Sequence, residues 1–231
     1  MEAEARPLIE RFGLQRIEDY FGSMPTELYS GIWHGKELNI VLNGKQGGLD
    51  LIGCEAATLT AELAISRLAP DLVVNAGTCG AFRSKGAAIG DVYLSSGPVM
   101  FHDRRVGDGG GWHDMGVGNY PTRDASQMAR DLGLKLGRVT TGSSLDMLDE
   151  DLAIIQREGG ELKDMEAGAI AFVASLHKVP LVCVKSVTDL VDGGRPTEDE
   201  FHENLAMASD ALRDACQKII QYLFVDQPEL F

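Results

Sequence analysis

The chain has 231 residues, 44% of them apolar and 24% charged, a soluble composition long enough to bury a sizeable core. Twenty-one Lys and Arg against 35 Asp and Glu leave a net charge of −14, which repels phosphate backbones and anionic lipid. Nucleic acid and membrane are therefore poor partners, and a neutral or zwitterionic small molecule fits better.

No apolar run approaches the roughly 20 residues of a membrane helix, and the acidic Met1 to Arg6 segment is no secretory signal, so the expected location is cytoplasmic. Cys54, Cys79, Cys183 and Cys216 have no CxxC spacing and read as buried thiols.

Helix and strand signals alternate along the chain. Glu2 to Phe12 predicts a short amphipathic helix, and Leu38 to Leu42 a strand. Cys54 to Leu68 predicts a long helix, with Leu59, Leu63 and Ile65 apolar and Glu55 and Glu62 acidic. After the break at Pro70-Asp71, Leu72 to Asn75 predicts a short buried strand, turned by Gly77 and Gly80. Asp91 to Leu94 and Arg138 to Thr141 predict further strands. The glycine-dense Gly107 to Gly118 segment reads equally as a solvated surface loop or as a mobile loop carrying Trp112 and Met115 over a ligand.

Asp164 to Leu176 is apolar on nearly every face, which predicts a helix buried all round. Leu181 to Val187 predicts a central parallel strand. Thr197-Glu198-Asp199-Glu200 predicts a capping box opening a last helix that runs to about Phe224. No repeat or linker interrupts the pattern. The expectation is a single α/β domain over residues 1–231, three-layered around a central mixed, largely parallel sheet.

Candidate chemistry clusters at element ends. Asp189 directly follows the predicted central strand, where open parallel sheets place their ligand crevices; Asp192-Gly193 reads as a turn. Glu166 sits among residues expected to be buried, so it either complements a helix dipole or meets a ligand diol. The Asn75 to Gly80 turn lets backbone approach a ligand but is neither GxGxxG nor a P-loop. His102-Asp103 and His113-Asp114 lack a third ligand at metal spacing.

Asn75 to Phe82, Phe101 to Arg105, Asp164 to Ile170 and Val187 to Gly193 resemble, in order, signatures of the nucleoside phosphorylase/nucleosidase family. Thr140 to Met147 and Arg195 to Leu205 resemble its plant branch of 5′-methylthioadenosine nucleosidases. The resemblance implies hydrolysis of a nucleoside substrate to adenine and a thioribose by a cytoplasmic homodimer without a cofactor. It implies that Asp189 protonates the purine at N7 and that Glu4, in the Met1 to Glu4 motif, activates water. It further implies ribose contacts from Met165 and an ionised Glu166, with Met1 close by, and small hydroxyls from Thr78 and Thr188. Leu145 and Met147 would close on the adenine, and Phe201 on the 5′ substituent, with the loop from Val106 to Pro121 completing that pocket across the dimer.

Two alternatives stay open: a phosphate-dependent phosphorylase, disfavoured because Asn75 stands where related phosphorylases carry an anion-binding arginine, and a non-catalytic binding or storage relative. Ser143 and His202 depart from the pattern. The apolar first strand of relatives is missing before Met1, and the expectation is a truncated chain with two strand edges left open.

Overall fold

The computed structural model describes residues 1–107 and 110–227. Its central sheet has seven strands: β6 (Val73–Ala81), β7 (Val92–Ser95), β8 (Met100–Phe101), β9 (Lys135–Gly137), β10 (Val139–Thr141), β11 (Leu162–Asp164) and β12 (Leu181–Leu190). Their order is β8-β10-β11-β6-β12-β7-β9. Four neighbouring pairs are parallel; β11 with β6 and β12 with β7 are antiparallel. The sheet is thus mixed and largely parallel, as expected.

Strand β12 shows why the sheet sits mid-molecule. Every residue from Leu181 to Leu190 is buried, and alternate side chains enter opposite cores. Val182 and Val184 pack with Leu8 and Phe12 of α1 (Glu2–Phe12) and with Leu212 and Ile219 of α7 (Thr197–Gln221). Leu181, Cys183 and Val187 pack against Ile65 of α2 (Gly53–Leu68) and Ala171 and Val173 of α6 (Ala167–His177). Period-two alternation within a fully buried run therefore feeds helices on both faces.

A separate antiparallel sheet holds β1 (Gln15–Ile17), β2 (Glu27–Trp33) and β3 (Lys36–Leu42), and β4 (Lys45–Gln46) pairs with β5 (Leu49–Asp50). Among the described residues, strand β3 pairs with β2 alone, and along Val73 to Cys79 β6 has a strand partner on its β12 side only, since β11 meets it at Gly80 and Ala81.

Several sequence expectations are corrected. Gly77 and Gly80 do not turn the chain: β6 runs straight through them to Ala81. At Gly80 the space of a side chain is taken: a Cβ there would lie 2.5 Å from Asp189 Oδ2, whereas one on Gly77 would sit at ordinary contact distance, 3.4 Å from Glu4 Oε1 and 3.6 Å from Lys185 Nζ. Within the glycine-dense segment, Trp112–Val117 forms a short helix, α3; Asp108 and Gly109 lie outside the described residues.

Thr197 makes no side-chain cap, because Pro196 takes the N-cap position and the Glu200 carboxylate turns instead to the Leu190 amide, 2.9 Å away. Asp164 belongs to β11 rather than to a helix, and α6 is not buried all round: Phe172 and Leu176 are 39% and 65% exposed. The four cysteines are buried and free.

Candidate active site

The carboxyl ends of β6, β11 and β12 converge with the first turn of α1. Helix α1 is anchored through Ala5, Leu8 and Phe12, which turns Glu4 toward β6. There Glu4 Oε1 accepts hydrogen bonds from the Thr78 amide and the Thr78 hydroxyl, each at 2.7 Å. The Met1 ammonium donates to Glu4 Oε2 at 2.6 Å. Burial alone would raise the pKa of Glu4, but the Met1 ammonium and the two Thr78 donors outweigh it, and the group is held below the usual carboxylate value.

Asp189 has the opposite setting. A bulge between Val187 and Asp189 shifts the register of β12, so that Asp189 pairs with Gly80. Such bulges re-aim a side chain at the price of local pairing. The carboxylate comes to lie over bare Gly80 and accepts from the Thr188 hydroxyl at 2.8 Å. Only 3% of Asp189 is exposed. Burial, reinforced by Glu200, raises its pKa against the opposing pull of Thr188 and Lys163.

Glu166 is the N-cap residue of α6 and accepts from the Gly53 amide at 2.8 Å, the first residue of α2. The positive end of α2 thus faces the carboxylate. Even so, burial and the neighbouring Asp164 raise the pKa of Glu166. This setting runs against the expected ionised group, because burial and the nearby Asp164 and Glu4 carboxylates oppose its charge. Met165 is half-buried beside it, and its carbonyl accepts from Cys54 Sγ at 3.4 Å.

The remaining predicted residues join through intermediaries. Leu145 and Met147 lie on the loop after β10, Leu145 39% exposed and Met147 half-buried. That loop is tied down by the Ser143 amide on Asp103 Oδ2 at 2.6 Å and by Lys163. Phe201 follows Glu200, whose bond to Leu190 fixes the start of α7 beside the end of β12. The His202 side chain points outward, 69% exposed.

Sequence reasoning missed a buried ion pair. Lys185 Nζ lies 2.7 Å from Asp164 Oδ2, the side chains only 2% and 1% exposed. Asp164 also accepts from the Thr141 hydroxyl at 2.6 Å and the Ala167 amide at 2.9 Å. Burial works to lower the pKa of Lys185, but Asp164 reverses this and keeps the ammonium charged. The available signal was a lone lysine in an apolar strand, which has to find a partner. His102 is also buried, 3.0 Å from the Thr140 hydroxyl. Burial depresses its pKa to about 4, so it is a neutral packing residue at ordinary pH.

Acids in contrasting environments around the carboxyl end of a mixed sheet define the class. Residues 1–222 match the family model of the phosphorylase superfamily, and the chain belongs to that family. Within it, the chain is 42% identical over 228 residues to a 5′-methylthioadenosine nucleosidase of Arabidopsis thaliana, covering 96% of this chain and 84% of the relative. It is 40% identical over 229 residues to a 5′-methylthioadenosine/S-adenosylhomocysteine nucleosidase of the same plant, covering 96% and 89%. The apo structure of the Arabidopsis 5′-methylthioadenosine nucleosidase matches with a TM-score of 0.93, covering 96% of this chain and 92% of that one.

Proposed function

We propose that the chain is an N-glycosyl hydrolase that splits 5′-methylthioadenosine into adenine and 5-methylthioribose, a step of methionine salvage. The observation that carries this reading is the divergence of two acids at one site. Glu4 is pushed toward its anion and Asp189 toward its acid, and such divergence is how one site runs acid and base chemistry together.

In the proposed step, the C1′–N9 bond breaks and positive charge develops on the sugar. Asp189 delivers its proton to N7, so adenine leaves neutral. Glu4 takes a proton from the water whose oxygen bonds to C1′. Glu166 and Met165 hold the ribose, with Met1 beside them, and Leu145, Met147 and Phe201 border the base and the 5′ tail. General acid–base help of this kind is worth roughly 10²–10⁴ in rate per group, and the separation of roles parallels glycoside hydrolysis. No cofactor enters the scheme.

Water is favoured over phosphate because the Thr78 amide and hydroxyl already face the Glu4 carboxylate. A phosphate there would meet an anion in place of free donors. The test is release of adenine from 5′-methylthioadenosine with and without added phosphate. Equal rates and free methylthioribose support hydrolysis; methylthioribose-1-phosphate establishes phosphorolysis, and binding without turnover establishes a storage relative. S-Adenosylhomocysteine serves as the second substrate in the same assay.

We also propose a homodimer built on α2 and α6, where Leu59, Phe172 and Leu176 are exposed. Large apolar side chains gathered on neighbouring helices mark an association surface, and Trp112 and Met115 of α3 are exposed as well. Light scattering at micromolar concentration checks it: a fully active monomer refutes it.

A further inference from the structure

Lys163 is a buried lysine in β11 for which the proposed reaction has no use. It is only 6% exposed. Its ammonium donates to the Ser144 carbonyl at 2.8 Å and the Leu145 carbonyl at 2.9 Å. Both acceptors belong to the loop that carries Leu145 and Met147. A buried ammonium with two carbonyl acceptors on one loop is a fixed clamp, because letting go would leave a charge desolvated and unpaired.

The register of the sheet gives this clamp a second address. Gly80 is the partner of Lys163 across the β11–β6 pair and of Asp189 across the β12–β6 pair. Residues opposite one another in paired strands share a face. Lys163 and Asp189 therefore stand on one face of the sheet with a residue between them that has no side chain. Their backbones are two strand spacings apart, about 10 Å. The loop clamp and the acid are thus built from one row of three residues.

We propose that Lys163 is a positioning residue for the base end of the site, holding the Ser144–Leu145 loop at a fixed distance from Asp189 so that adenine is gripped where the acid can reach it. This inference rests on the nucleosidase reading for its substrate. Lys163 also favours the carboxylate form of Asp189. Burial lowers the pKa of Lys163, and the carboxylates that oppose it are Asp189 from β12, Asp164 from β11, Asp146 from the loop and Asp151 from α5 (Asp149–Glu158). Those acting on Asp189 are Lys163 and Glu200 from α7, with the Thr188 hydroxyl.

The test compares Lys163→Met and Lys163→Arg in the full chain. Losing two charge-assisted bonds that shape the adenine wall is expected to raise KM for 5′-methylthioadenosine on the order of 10–100-fold, with a smaller change in kcat. Removing the cation also lets Asp189 keep its proton to higher pH, so the alkaline limb of the kcat/KM profile moves upward. Lys163→Arg, which keeps charge and donors, is expected to hold that limb in place and recover most of KM. Hydrogen exchange at residues 143–148 without substrate is expected to quicken in Lys163→Met.

A folded Lys163→Met protein with parental KM, parental alkaline limb and unchanged loop exchange overturns the proposal, as does a loss confined to melting temperature. If Lys163→Met is insoluble, Lys163→Gln, uncharged but able to donate, is measured the same way, and an unmoved limb and KM overturn it equally. Absence of adenine release from the parent chain would instead defeat the nucleosidase reading. In that event adenine affinity of parent and variants, by calorimetry, decides the role of Lys163: equal affinities overturn it.

Discussion

Gly80→Ala probes the placement of Asp189 with a single methyl group. The added Cβ would lie 2.5 Å from Asp189 Oδ2 and 3.0 Å from Val191 Cγ2, about 0.9 Å inside the closest ordinary contact with the carboxylate. The acid cannot simply swing away, because the Thr188 hydroxyl holds Oδ1 at 2.8 Å and the bulge fixes its backbone. It has to retreat by roughly 1 Å, a misplacement that can cost about 10²-fold in rate, equivalent to about 2.7 kcal/mol in the barrier. Overpacking of this kind destabilises by about 1–3 kcal/mol, so the protein is expected to remain folded at 25 °C. Adenine release at saturating substrate measures kcat, and a thermal melt reports the folding cost separately. A folded Gly80→Ala protein with kcat within twofold of the parent would refute the argument that bare Gly80 seats the acid.

Asp189→Asn is expected to lower kcat by roughly 10²–10⁴ with little change in KM, checked by steady-state kinetics. The pH profile of kcat/KM is expected to be a bell. Activity falls as pH drops through the lowered pKa of Glu4, and again as pH rises through the raised pKa of Asp189; Glu4→Gln should abolish the acid limb and Asp189→Asn the alkaline one. Lys185→Met leaves Asp164 buried without its cation, which costs about 3–5 kcal/mol and lowers the melting temperature by roughly 6–20 °C for a chain this size. Adding Asp164→Asn should recover part of that loss, and a melt unchanged in the single variant would show that the pair carries no stability.

The elements legible in the sequence were those whose periodicity and burial agree. β12, α1 and α2 carry enough apolar side chains on the right faces to declare themselves. β1 and β2 do not: Gln15 to Ile17 is wholly exposed and β2 mostly half-buried, so neither shows the signal of a buried strand. Gly77 and Gly80 misled because glycine commonly punctuates, whereas here both lie inside a strand and Gly80 makes room for the carboxylate that arrives from residue 189. The capping box at Thr197 failed because a bond between Glu200 and the end of β12 won over a local one. Asp189 and Glu166 stood out by their positions at element ends, family resemblance added Glu4 and the roles, and the structure gives each an environment. The resemblance did not supply Lys163 or Lys185: a lone lysine in an apolar strand signals that a partner is needed, but the partners, about 20 residues away in the chain, are brought to it only by the fold.

The packing of α1 against α7 has a kinetic side. Leu8 and Phe12 share a core with Leu212, Cys216 and Ile219, and Arg11 Nε reaches Gln217 Oε1 at 2.6 Å. On the ribosome the first helix emerges about 200 residues ahead of its partner. At typical synthesis rates of 5–20 residues per second its apolar face waits roughly 10–40 s before the covering helix exists. Glu4 rides on that helix, so its bonds to Thr78 cannot settle until the helix docks. Glu4 is therefore made long before Asp189 and the covering helix exist. Folding closes on catalysis from the two distant arms of the polypeptide, and that interval is when helper chaperones would have most to hold.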